Sequence, residues 1–501
     1  MSNEILITVA PGETRAALLH GGVVQEVYIE RPQNISLVGN IYMGKVSRLL
    51  PGLEAAFVDI GIERNGFLHL SDIVNQVSKR RNNENPKATD IRHALHEGQL
   101  IMVQVIKNPI NDKGARLTTE ISLVSRYFAY LPAGIGNKVS HRIRKRDERQ
   151  RLQDSLALML SKDERQGAVG STQQRLVGSY IVRSAAEGIG LKYLQSDLSF
   201  LQHCWEAVQL EKVTIKKPGR VFEEMALQVR VMRDLVDDKT TRILVDCADV
   251  FDQLGKIMER YHQSISNLLV YYDGEKPLFQ HYKVEEEVTK ALQRRVNLDS
   301  GGSVVFDQTE AMTTVDVNTG GDIGHRDLEK AAFNTNMQAS KVIARQIRLR
   351  NVGGIIVIDF IDMDDDSHRK KVLASLKKAL LVDTVATFIS EFTELGLVQV
   401  NRKRINKSLR ELLSDNCPTC DGVGSIKSLS TISCEIWREI SRAASAYNCR
   451  NIRIQASPEV TGYLATEERS VLTEIEKSIN CTIQLRDDEL YSREQFDIIP
   501  V

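Results

Sequence analysis

Long apolar segments are missing from this sequence. No stretch approaches the roughly 18 consecutive apolar residues of a membrane-spanning helix. The first ten residues include Glu4 and only a short apolar core, too short for a signal peptide. Cysteine is also scarce, because seven residues with one close pair do not form a disulfide framework. These absences predict a cytoplasmic, reduced protein without a membrane span.

An excess of either charge is missing as well. The 66 Lys and Arg residues balance 66 Asp and Glu residues, so a basic surface for nucleic acid would have to be local. No Pro-rich, Ser-rich or acidic tail is visible, so little of the chain need be disordered. The 501 residues are enough for roughly three or four domains.

What the sequence does contain is two strand-like segments that each carry a carboxylate. In Thr314-Val315-Asp316-Val317-Asn318, two-residue alternation puts Asp316 and Asn318 on one face. The apolar run 355–358 predicts a strand buried on both sides, with Asp359 at its end. Converging carboxylates repel each other, and a divalent cation is the usual remedy. We therefore predict a Mg²⁺ site at Asp316 and Asp359, with Asn318 beside it.

Other polar residues near these strands have weaker assignments. The acidic run 364–366 suits the N-terminal end of a helix, where the macrodipole favours negative charge. Asp362 either supports the metal site or caps that helix. His325 lies near the site in sequence, but a lone histidine is more often structural.

An earlier region predicts a small β-barrel. From residue 39 to about 123, short strands alternate with glycine turns. The motifs G-x-V-x-R, A-F-V-D-I-G and G-F-L-H-x-S-D-I resemble the S1 RNA-binding domain, an OB fold. The resemblance implies that Phe57 and Phe67 stack on bases at the open barrel face, with Lys113 contacting the RNA backbone. From spacing alone, core positions for both phenylalanines are slightly favoured.

Basic residues form two further candidates. Arg183 and Ser184 follow a short apolar strand, and an arginine fork with a hydroxyl suits a phosphate. Arginine at a strand end is, however, commonly an ion-pair partner. Lys341, Arg345 and Arg348 share one face of a predicted helix. That face is either an RNA-contacting stripe or an ordinary solvated surface.

Cys417 and Cys420 form a C-x-x-C pair with trailing glycines. Structural zinc takes four ligands, commonly four thiolates. Either the site is incomplete, or two chains share it across a dimer. A redox-active pair is the competing hypothesis, but the βαβ context of such a pair is missing here. The five other cysteines are expected in the core.

Together, the barrel motifs, T-T-V-D-V-N-T, R-L-R-N-V-G-G-I-I-V-I-D-F-I-D-M and C-P-T-C-x-G-x-G resemble the ribonuclease E/G family over essentially the whole chain. The length is similar to the shorter G type, which lacks the disordered scaffold tail of the E type. The resemblance implies a multidomain α/β protein with a β-barrel. Its implied parts are an RNase H-like subdomain split between 1–37 and 228–290, an S1 (OB-fold) domain at 38–125, a 5′-end sensor at 126–227, a deoxyribonuclease-like α/β catalytic subdomain at 291–414, a zinc link at 415–425 and a small C-terminal α/β domain at 426–501.

The resemblance also implies roles for the candidate residues. Asp316 and Asp359 match the metal-binding aspartates, and Asn318 matches the asparagine that orients the scissile phosphate. Arg183 and Ser184 match the pair that recognises a 5′-monophosphate. The family usually has threonine at the second of these positions, and serine keeps the hydroxyl donor.

Cys417 and Cys420 match a zinc link between protomers, which implies a homodimer and leaves a higher oligomer open. The implied activity is that of a Mg²⁺-dependent, single-strand-specific endoribonuclease in rRNA maturation and mRNA decay. It would favour 5′-monophosphorylated RNA and leave 5′-phosphate and 3′-hydroxyl ends. Two alternatives stay open. One is a non-catalytic S1-type RNA-binding or assembly protein, and the other is a deoxyribonuclease, because the metal chemistry does not require a 2′-hydroxyl.

Overall fold

The structure is a computed structural model of the 501-residue chain. It describes residues 2–32, 35–73, 90–109, 113–166, 178–261, 263–320, 328–447 and 450–501. The chain divides into two compact units, Met1–Leu412 and Leu413–Val501. Within the described ranges, no helix is both long enough and apolar enough to cross a membrane.

Strands and helices are numbered here in chain order. The strands are β1 (Asn3–Ala10), β2 (Glu13–His20), β3 (Val23–Glu30), β4 (Ile41–Leu50), β5 (Ala55–Asp59), β6 (Gly66–His69), β7 (Leu100–Lys107), β8 (Arg116–Thr118), β9 (Leu123–Val124), β10 (Phe128–Leu131), β11 (Lys138–Val139), β12 (Ser179–Val182), β13 (Gly219–Phe222), β14 (Thr240–Val245), β15 (Leu269–Tyr271), β16 (Arg295–Asn297), β17 (Ser303–Gln308), β18 (Met312–Asn318), β19 (Gly354–Asp359), β20 (Thr387–Phe392), β21 (Leu397–Arg402), β22 (Asn451–Ala456), β23 (Thr482–Asp487) and β24 (Phe496–Pro500). The helices are α1 (Ile91–Ala94), α2 (Arg146–Gln166), α3 (Leu191–Thr214), α4 (Leu227–Leu235), α5 (Ala248–Tyr261), α6 (Leu278–His281), α7 (Val284–Leu292), α8 (Leu328–Leu349), α9 (Asp366–Leu380), α10 (Leu409–Leu413), α11 (Leu429–Tyr447), α12 (Pro458–Thr466) and α13 (Arg469–Ile479).

A five-stranded sheet joins the N-terminal strands to a segment far along the chain. Its order is β15-β14-β1-β2-β3, with β1 parallel to β14. Just after β14, the carboxylate of Asp246 accepts hydrogen bonds from Thr8 Oγ1 at 2.5 Å and Val9 N at 3.2 Å. The three N-terminal strands therefore belong to a layer that is completed only by residues 240–271.

The predicted β-barrel is confirmed. Strands β4, β5, β6, β8 and β7 close into a ring because β7 pairs with both β8 and β4. Strand β13 adds to β4 from outside the ring. At Gly44 a Cβ would lie 2.5 Å from Cγ1 of Val58, so only glycine fits where the barrel wall packs this closely.

A four-stranded sheet of order β11-β12-β10-β9 packs with helix α3 through an aromatic core. The ring centroids of Tyr130 and Tyr180 are 5.0 Å apart, and those of Tyr130 and Trp205 are 5.7 Å apart. Helix α3 also carries the fully buried Asp197, which accepts hydrogen bonds from Ser125 Oγ and Tyr127 N at 2.5 and 2.8 Å. That carboxylate fixes the chain between β9 and β10.

A six-stranded sheet of order β16-β17-β18-β19-β21-β20 has helices α8 and α9 on one face. Val315 and Val317 of β18 and Ile356 and Ile358 of β19 are buried in the core with these helices. The other face is open: Ile355 is 49% exposed. The prediction that β19 is buried on both sides is therefore wrong, and its apolar run hides a one-sided strand.

The sequence allowed two interpretations of the helix face with Lys341, Arg345 and Arg348, an RNA-contacting stripe or a solvated surface. For Arg345 and Arg348 both interpretations are wrong. Arg345 Nε donates to Val24 O at 2.9 Å and its guanidinium pairs with Glu287. Arg348 donates to Gln25 Oε1 at 2.8 Å, and its side chain is only 8% exposed. These arginines attach α8 to β3 of the five-stranded sheet and form neither a solvated surface nor an RNA-facing stripe.

The second unit is a small α/β structure. Strand β22 lies between the parallel β23 and the antiparallel β24, and α11, α12 and α13 contribute to one core. Ile436 of α11, Ile454 of β22 and Leu464 of α12 are all fully buried there.

Candidate active site

The two predicted metal-binding carboxylates are direct neighbours. Strands β18 and β19 run parallel, and Asp316 is in register with Asp359. Adjacent strands lie about 4.8 Å apart, and both residues are on the open face of the six-stranded sheet. Along β18, exposed and buried residues alternate without a break, as the sequence predicts. The fold thus brings two carboxylates together at one edge of the sheet.

Asn318 lies two residues beyond Asp316 on the same face. Its Nδ2 donates to Oδ2 of Asp316 at 2.6 Å. This bond fixes the orientation of the Asp316 carboxylate and leaves the second N–H and the carbonyl oxygen of Asn318 for another ligand.

A third carboxylate influences this pair. Burial raises the pKa of Asp359 above its ordinary value, and the negative charges of Asp316 and Asp362 raise it further. Asp362 follows β19 and faces the hairpin turn at Gly396, where a Cβ would lie 3.7 Å from Oδ1 of Asp362. Of the two roles that the sequence allows for Asp362, support of the metal site is favoured by this effect of its charge on the pKa of Asp359.

The carboxylate pair fits Mg²⁺ chemically. Among the described residues, no group of three or more His, Cys, Asp or Glu side chains is arranged to hold a metal ion. Mg²⁺ is commonly held through one or two carboxylates and keeps several waters. Asp316 and Asp359 would supply those two carboxylates, and the cation would relieve the repulsion that raises the pKa of Asp359.

The acidic run after Asp362 is structural, as predicted. The Asp365 side chain accepts a hydrogen bond from Ser367 N at 2.7 Å and caps helix α9. Glu329 accepts hydrogen bonds from Asp364 N and from the His368 ring at 3.0 and 2.8 Å. His325 lies outside the described residues.

The open face of the barrel carries both predicted phenylalanines. Phe57 and Phe67 are cross-strand neighbours with ring centroids 6.2 Å apart, and Phe57 is 36% exposed. Neither belongs to the barrel core. Arg48, a residue outside the sequence-based prediction, pairs with Phe57 across the strands and is exposed. The signal was present, because Arg48 is the last residue of the G-x-V-x-R motif.

Lys113 is exposed beside β6, the strand that carries Phe67. The next residue, Gly114, packs so closely that a Cβ would lie 1.9 Å from Asn65 O. Phe67 N donates to Ala115 O at 2.7 Å, which holds the segment against β6. This close approach places Lys113 near Phe67.

Arg183 is held by the protein itself. Nη1 donates to Ser125 O at 2.6 Å, and Nη2 pairs with Asp234 at 2.9 Å. Burial opposes ionisation of Asp234, but Arg233 and then Arg183 lower its pKa. The ion-pair alternative from the sequence thus describes the geometry, although the Arg183 side chain stays 29% exposed. Ser184, next to it, is exposed at the start of a short 3₁₀ turn.

Cys417 and Cys420 form a tight knuckle. Gly424 N donates to Sγ of Cys420 at 3.3 Å, and backbone N–H groups of Thr419 and Cys420 lower the pKa of the Cys417 thiol. Asp421, Gly422 and Gly424 have left-handed backbones with φ of 47°, 85° and 83°. N–H groups aimed at sulfur suit thiolate ligands, so the pair fits half of a Cys₄ zinc site.

The expectation that a βαβ unit is missing beside the cysteine pair is wrong, because α12 and α13 join the parallel strands β22 and β23. Cys417 and Cys420 precede β22, the first strand of the second unit, instead of following a strand. Of the other cysteines, Cys481 is buried as expected, but Cys434 on α11 is exposed, which corrects the expectation of a core position.

Comparison with known proteins gives consistent matches over the chain. Residues 122–405 match the model of the Ribonuclease E/G family, and residues 416–501 match that of the RNase E/G thioredoxin-like domain. Ribonuclease G of Escherichia coli (strain K12) is 43% identical over 501 residues, which cover 100% of both chains. Ribonuclease G of Haemophilus influenzae is 42% identical over 99% of both chains. Ribonuclease E of Escherichia coli (strain K12) is 36% identical over 95% of this chain and 44% of its own.

The carboxylate repulsion predicts a change in stability. In EDTA, Asp316→Asn should raise the free energy of unfolding by about 0.5–1 kcal/mol, the scale of exposed charge pairs, because a like charge beside Asp359 is removed. Adding Mg²⁺ should stabilise the unmodified chain and not this variant. Chemical denaturation in EDTA and in Mg²⁺ measures both effects. The matched control is Asp364→Asn, which makes the same charge change and should leave the Mg²⁺ effect intact; equal Mg²⁺ effects in all three proteins would contradict the site.

Proposed function

Because this chain belongs to the ribonuclease E/G family, we propose that it is a Mg²⁺-dependent endoribonuclease that cleaves single-stranded RNA. The observation that carries the proposal is the in-register pair of Asp316 and Asp359 on an open sheet face. Asn318, hydrogen-bonded to Asp316, completes the group. We propose rRNA precursors and mRNA as the cellular substrates and the cytoplasm as the compartment.

The mechanism we propose is hydrolysis of one phosphodiester bond. Asp316 and Asp359 would hold Mg²⁺, which would supply a polarised water and offset charge that develops on the phosphoryl oxygens. The free N–H of Asn318 positions the scissile phosphate by donating to one of its oxygens. The oxygen of the attacking water bonds to phosphorus, the bond to the 3′ oxygen breaks, and the proton that the water loses is taken up by that 3′ oxygen. The products carry 5′-phosphate and 3′-hydroxyl ends.

We assign RNA binding outside the catalytic centre to the barrel. As an S1 domain (38–125), it presents Phe57 and Phe67 as stacking surfaces, with Arg48 and Lys113 for the backbone. Base stacking on an aromatic ring contributes about 1–3 kcal/mol per base and tolerates any sequence. Cleavage should therefore depend little on sequence and strongly on single-strandedness.

The remaining regions follow the same family architecture. We assign the sheet built from 1–37 and 228–290 as the RNase H-like subdomain and 291–414 as the deoxyribonuclease-like catalytic subdomain. Residues 126–227 are the 5′-end sensor. Arg183 and Ser184 would bind a 5′-monophosphate there, and Asp234 would hold the arginine in a fixed orientation. Binding of the 5′ end adds to affinity at the catalytic centre through effective concentration.

We propose that the link 415–425 joins two protomers, and 426–501 forms the small C-terminal domain. Each chain offers two thiols, Cys417 and Cys420, so a complete Cys₄ zinc site needs a second copy. A homodimer is the smallest assembly that supplies four thiolates, and a higher oligomer is compatible with the same site.

Removal of one metal-binding carboxylate should abolish cleavage and spare binding. Asp359→Asn should lower the single-turnover cleavage rate of a 5′-monophosphorylated RNA by roughly 10²–10³-fold or more, because charge stabilisation at the phosphate is lost. Its affinity for the RNA should stay within a few-fold. Asp364→Asn serves as the control with near-normal rate. A DNA oligomer of the same sequence should resist cleavage, and end-group analysis should find 5′-phosphates; an unmodified chain that binds RNA without cutting it would favour the non-catalytic alternative.

The sensor assignment predicts a preference for one 5′ end. RNA with a 5′-monophosphate should be cut roughly 10-fold faster or more than RNA with a 5′-triphosphate or 5′-hydroxyl, the scale of one or two charge-assisted hydrogen bonds. Ser184→Ala should reduce that preference, and Ser184→Thr should retain it. The measurement is kcat/KM for three otherwise identical oligomers. Equal values across the three ends would rule out the sensor.

The zinc link predicts a change in mass. Replacing Cys417 and Cys420 by serine should release zinc and halve the molar mass measured by light scattering, because the shared ligands are gone. Cys434→Ser, another exposed cysteine, is the matched control and should retain both zinc and mass. An unchanged mass in the double variant would refute the shared site.

A further inference from the structure

A small cavity lies beneath the six-stranded sheet, on the face opposite the catalytic carboxylates. Its volume is about 20 Å³, and its lining includes Leu292, Arg294, Phe306, Thr313, Arg350 and Arg410. Thr313 is buried, whereas Asp316, three residues further along β18, faces the open side. The cavity is therefore separate from the proposed metal site.

Arg350 is the unusual residue of this cavity. It is 9% exposed, and its guanidinium lies 4.4 Å from the centre of the Phe306 ring. Nε donates to Gln346 Oε1 at 2.7 Å, but Nη2 has no hydrogen-bond partner among the described residues. No carboxylate pairs with Arg350 there either, and burial lowers its pKa to about 10. A buried guanidinium without a counterion is unfavourable.

The same unit shows how a buried arginine is normally neutralised. Arg402, 6% exposed at its side chain, pairs with Asp383 at 2.7 Å and donates to Asn351 and Val352 O as well. Arg350 sits at similar depth with no such partner. The two arginines differ in what surrounds them: Arg402 contacts a carboxylate, whereas Arg350 lines a cavity.

The mouth of the cavity adds positive charge. Arg410 is exposed and makes no ion pair with any described residue. Its neighbour Glu411 is already engaged by Arg404 and by Ser408 N. Arg294 pairs with Asp307, so the three arginines face one carboxylate. The lining of the cavity thus carries a net positive charge.

We propose that this cavity binds an anion of the phosphate class, with one oxygen against the guanidinium group of Arg350 and the others held at the mouth by Arg410. A volume of about 20 Å³ exceeds the ~10–15 Å³ that one water-sized body needs, so it admits a single oxygen. Guanidinium groups bind phosphate oxygens through strong charge-assisted bonds. The proposal is independent of RNA cleavage, because none of these residues belongs to the catalytic group.

Inorganic phosphate is the probe for this site. At constant ionic strength set with NaCl, phosphate should raise the thermal midpoint of the full chain in a saturable way. Arg410→Ala should weaken the apparent phosphate affinity roughly tenfold. Arg350→Met should remove the response, and in phosphate-free buffer it should unfold at the same or a higher temperature, because an unpaired buried charge is gone. Arg183→Ala, which alters the other phosphate candidate, should keep the response.

Three results would overturn the proposal: no saturable effect of phosphate beyond that of NaCl, an effect that both Arg350→Met and Arg410→Ala retain, or an effect that Arg183→Ala removes. Should Arg350→Met fail to fold, the exposed Arg410→Ala decides alone.

Two further arms distinguish the source of the phosphate group in the Asp359→Asn background. If Arg410→Ala also weakens binding of a single-stranded RNA, the backbone of RNA occupies the site. If RNA affinity is unchanged while the phosphate isotherm shifts, a free phosphate or phosphorylated metabolite occupies it.

Discussion

The parallel register of β18 and β19 is the constraint on which the candidate site depends. Side chains alternate between the faces of a strand, so a slip of one residue would send Asp316 and Asp359 to opposite sides of the sheet. The register is held from the other face, where Val315, Val317, Ile356 and Ile358 are buried with α8 and α9. Hydrophobic burial on one side of the sheet therefore stabilises a repulsive pair of carboxylates on the other. The residues of the proposed metal site and those of the core thus occupy alternate positions along the same two strands.

Arginines carry much of the long-range organisation, and they do so in different ways. Arg126 donates to Met232 O and Val236 O at 3.0 and 3.1 Å, which satisfies carbonyls at the end of α4. Asp234 on the same helix orients Arg183. On α8, Arg345 and Arg348 reach β3 instead. Arg183 is thus fixed by a contact with the layer that spans residues 3–30 and 227–271. The six-stranded sheet that carries the two carboxylates is fixed to the same layer through α8.

The sequence was sufficient for features that local periodicity encodes, and insufficient for those that depend on distant partners. Alternation predicted the Asp316 and Asn318 face, and turn spacing predicted the barrel. Residues 355–358 are all apolar and show no alternation, so the sequence does not reveal that only one side of this strand is buried. Arg183 meets Asp234 across 51 residues, and Arg348 meets Gln25 across 323; no short window contains either pair. Spacing also favoured a core position for Phe57, whereas its β-barrel strand turns it outward at 36% exposure. The resemblance to S1-domain motifs predicted the exposed face for Phe57, which periodicity alone did not.

The placement of β1 beside β14 also sets an order of folding during synthesis. Val9 and Asp246 hydrogen-bond across 237 residues, so the first strands must wait for β14, the parallel neighbour of β1, while the intervening chain is made. At ~5–20 residues per second, that wait is roughly 10–50 s. The barrel closes with residues 41–118, far earlier. A nascent chain would therefore carry a finished β-barrel while its own N-terminal strands still have an unpaired, apolar edge, the kind of surface that chaperones protect.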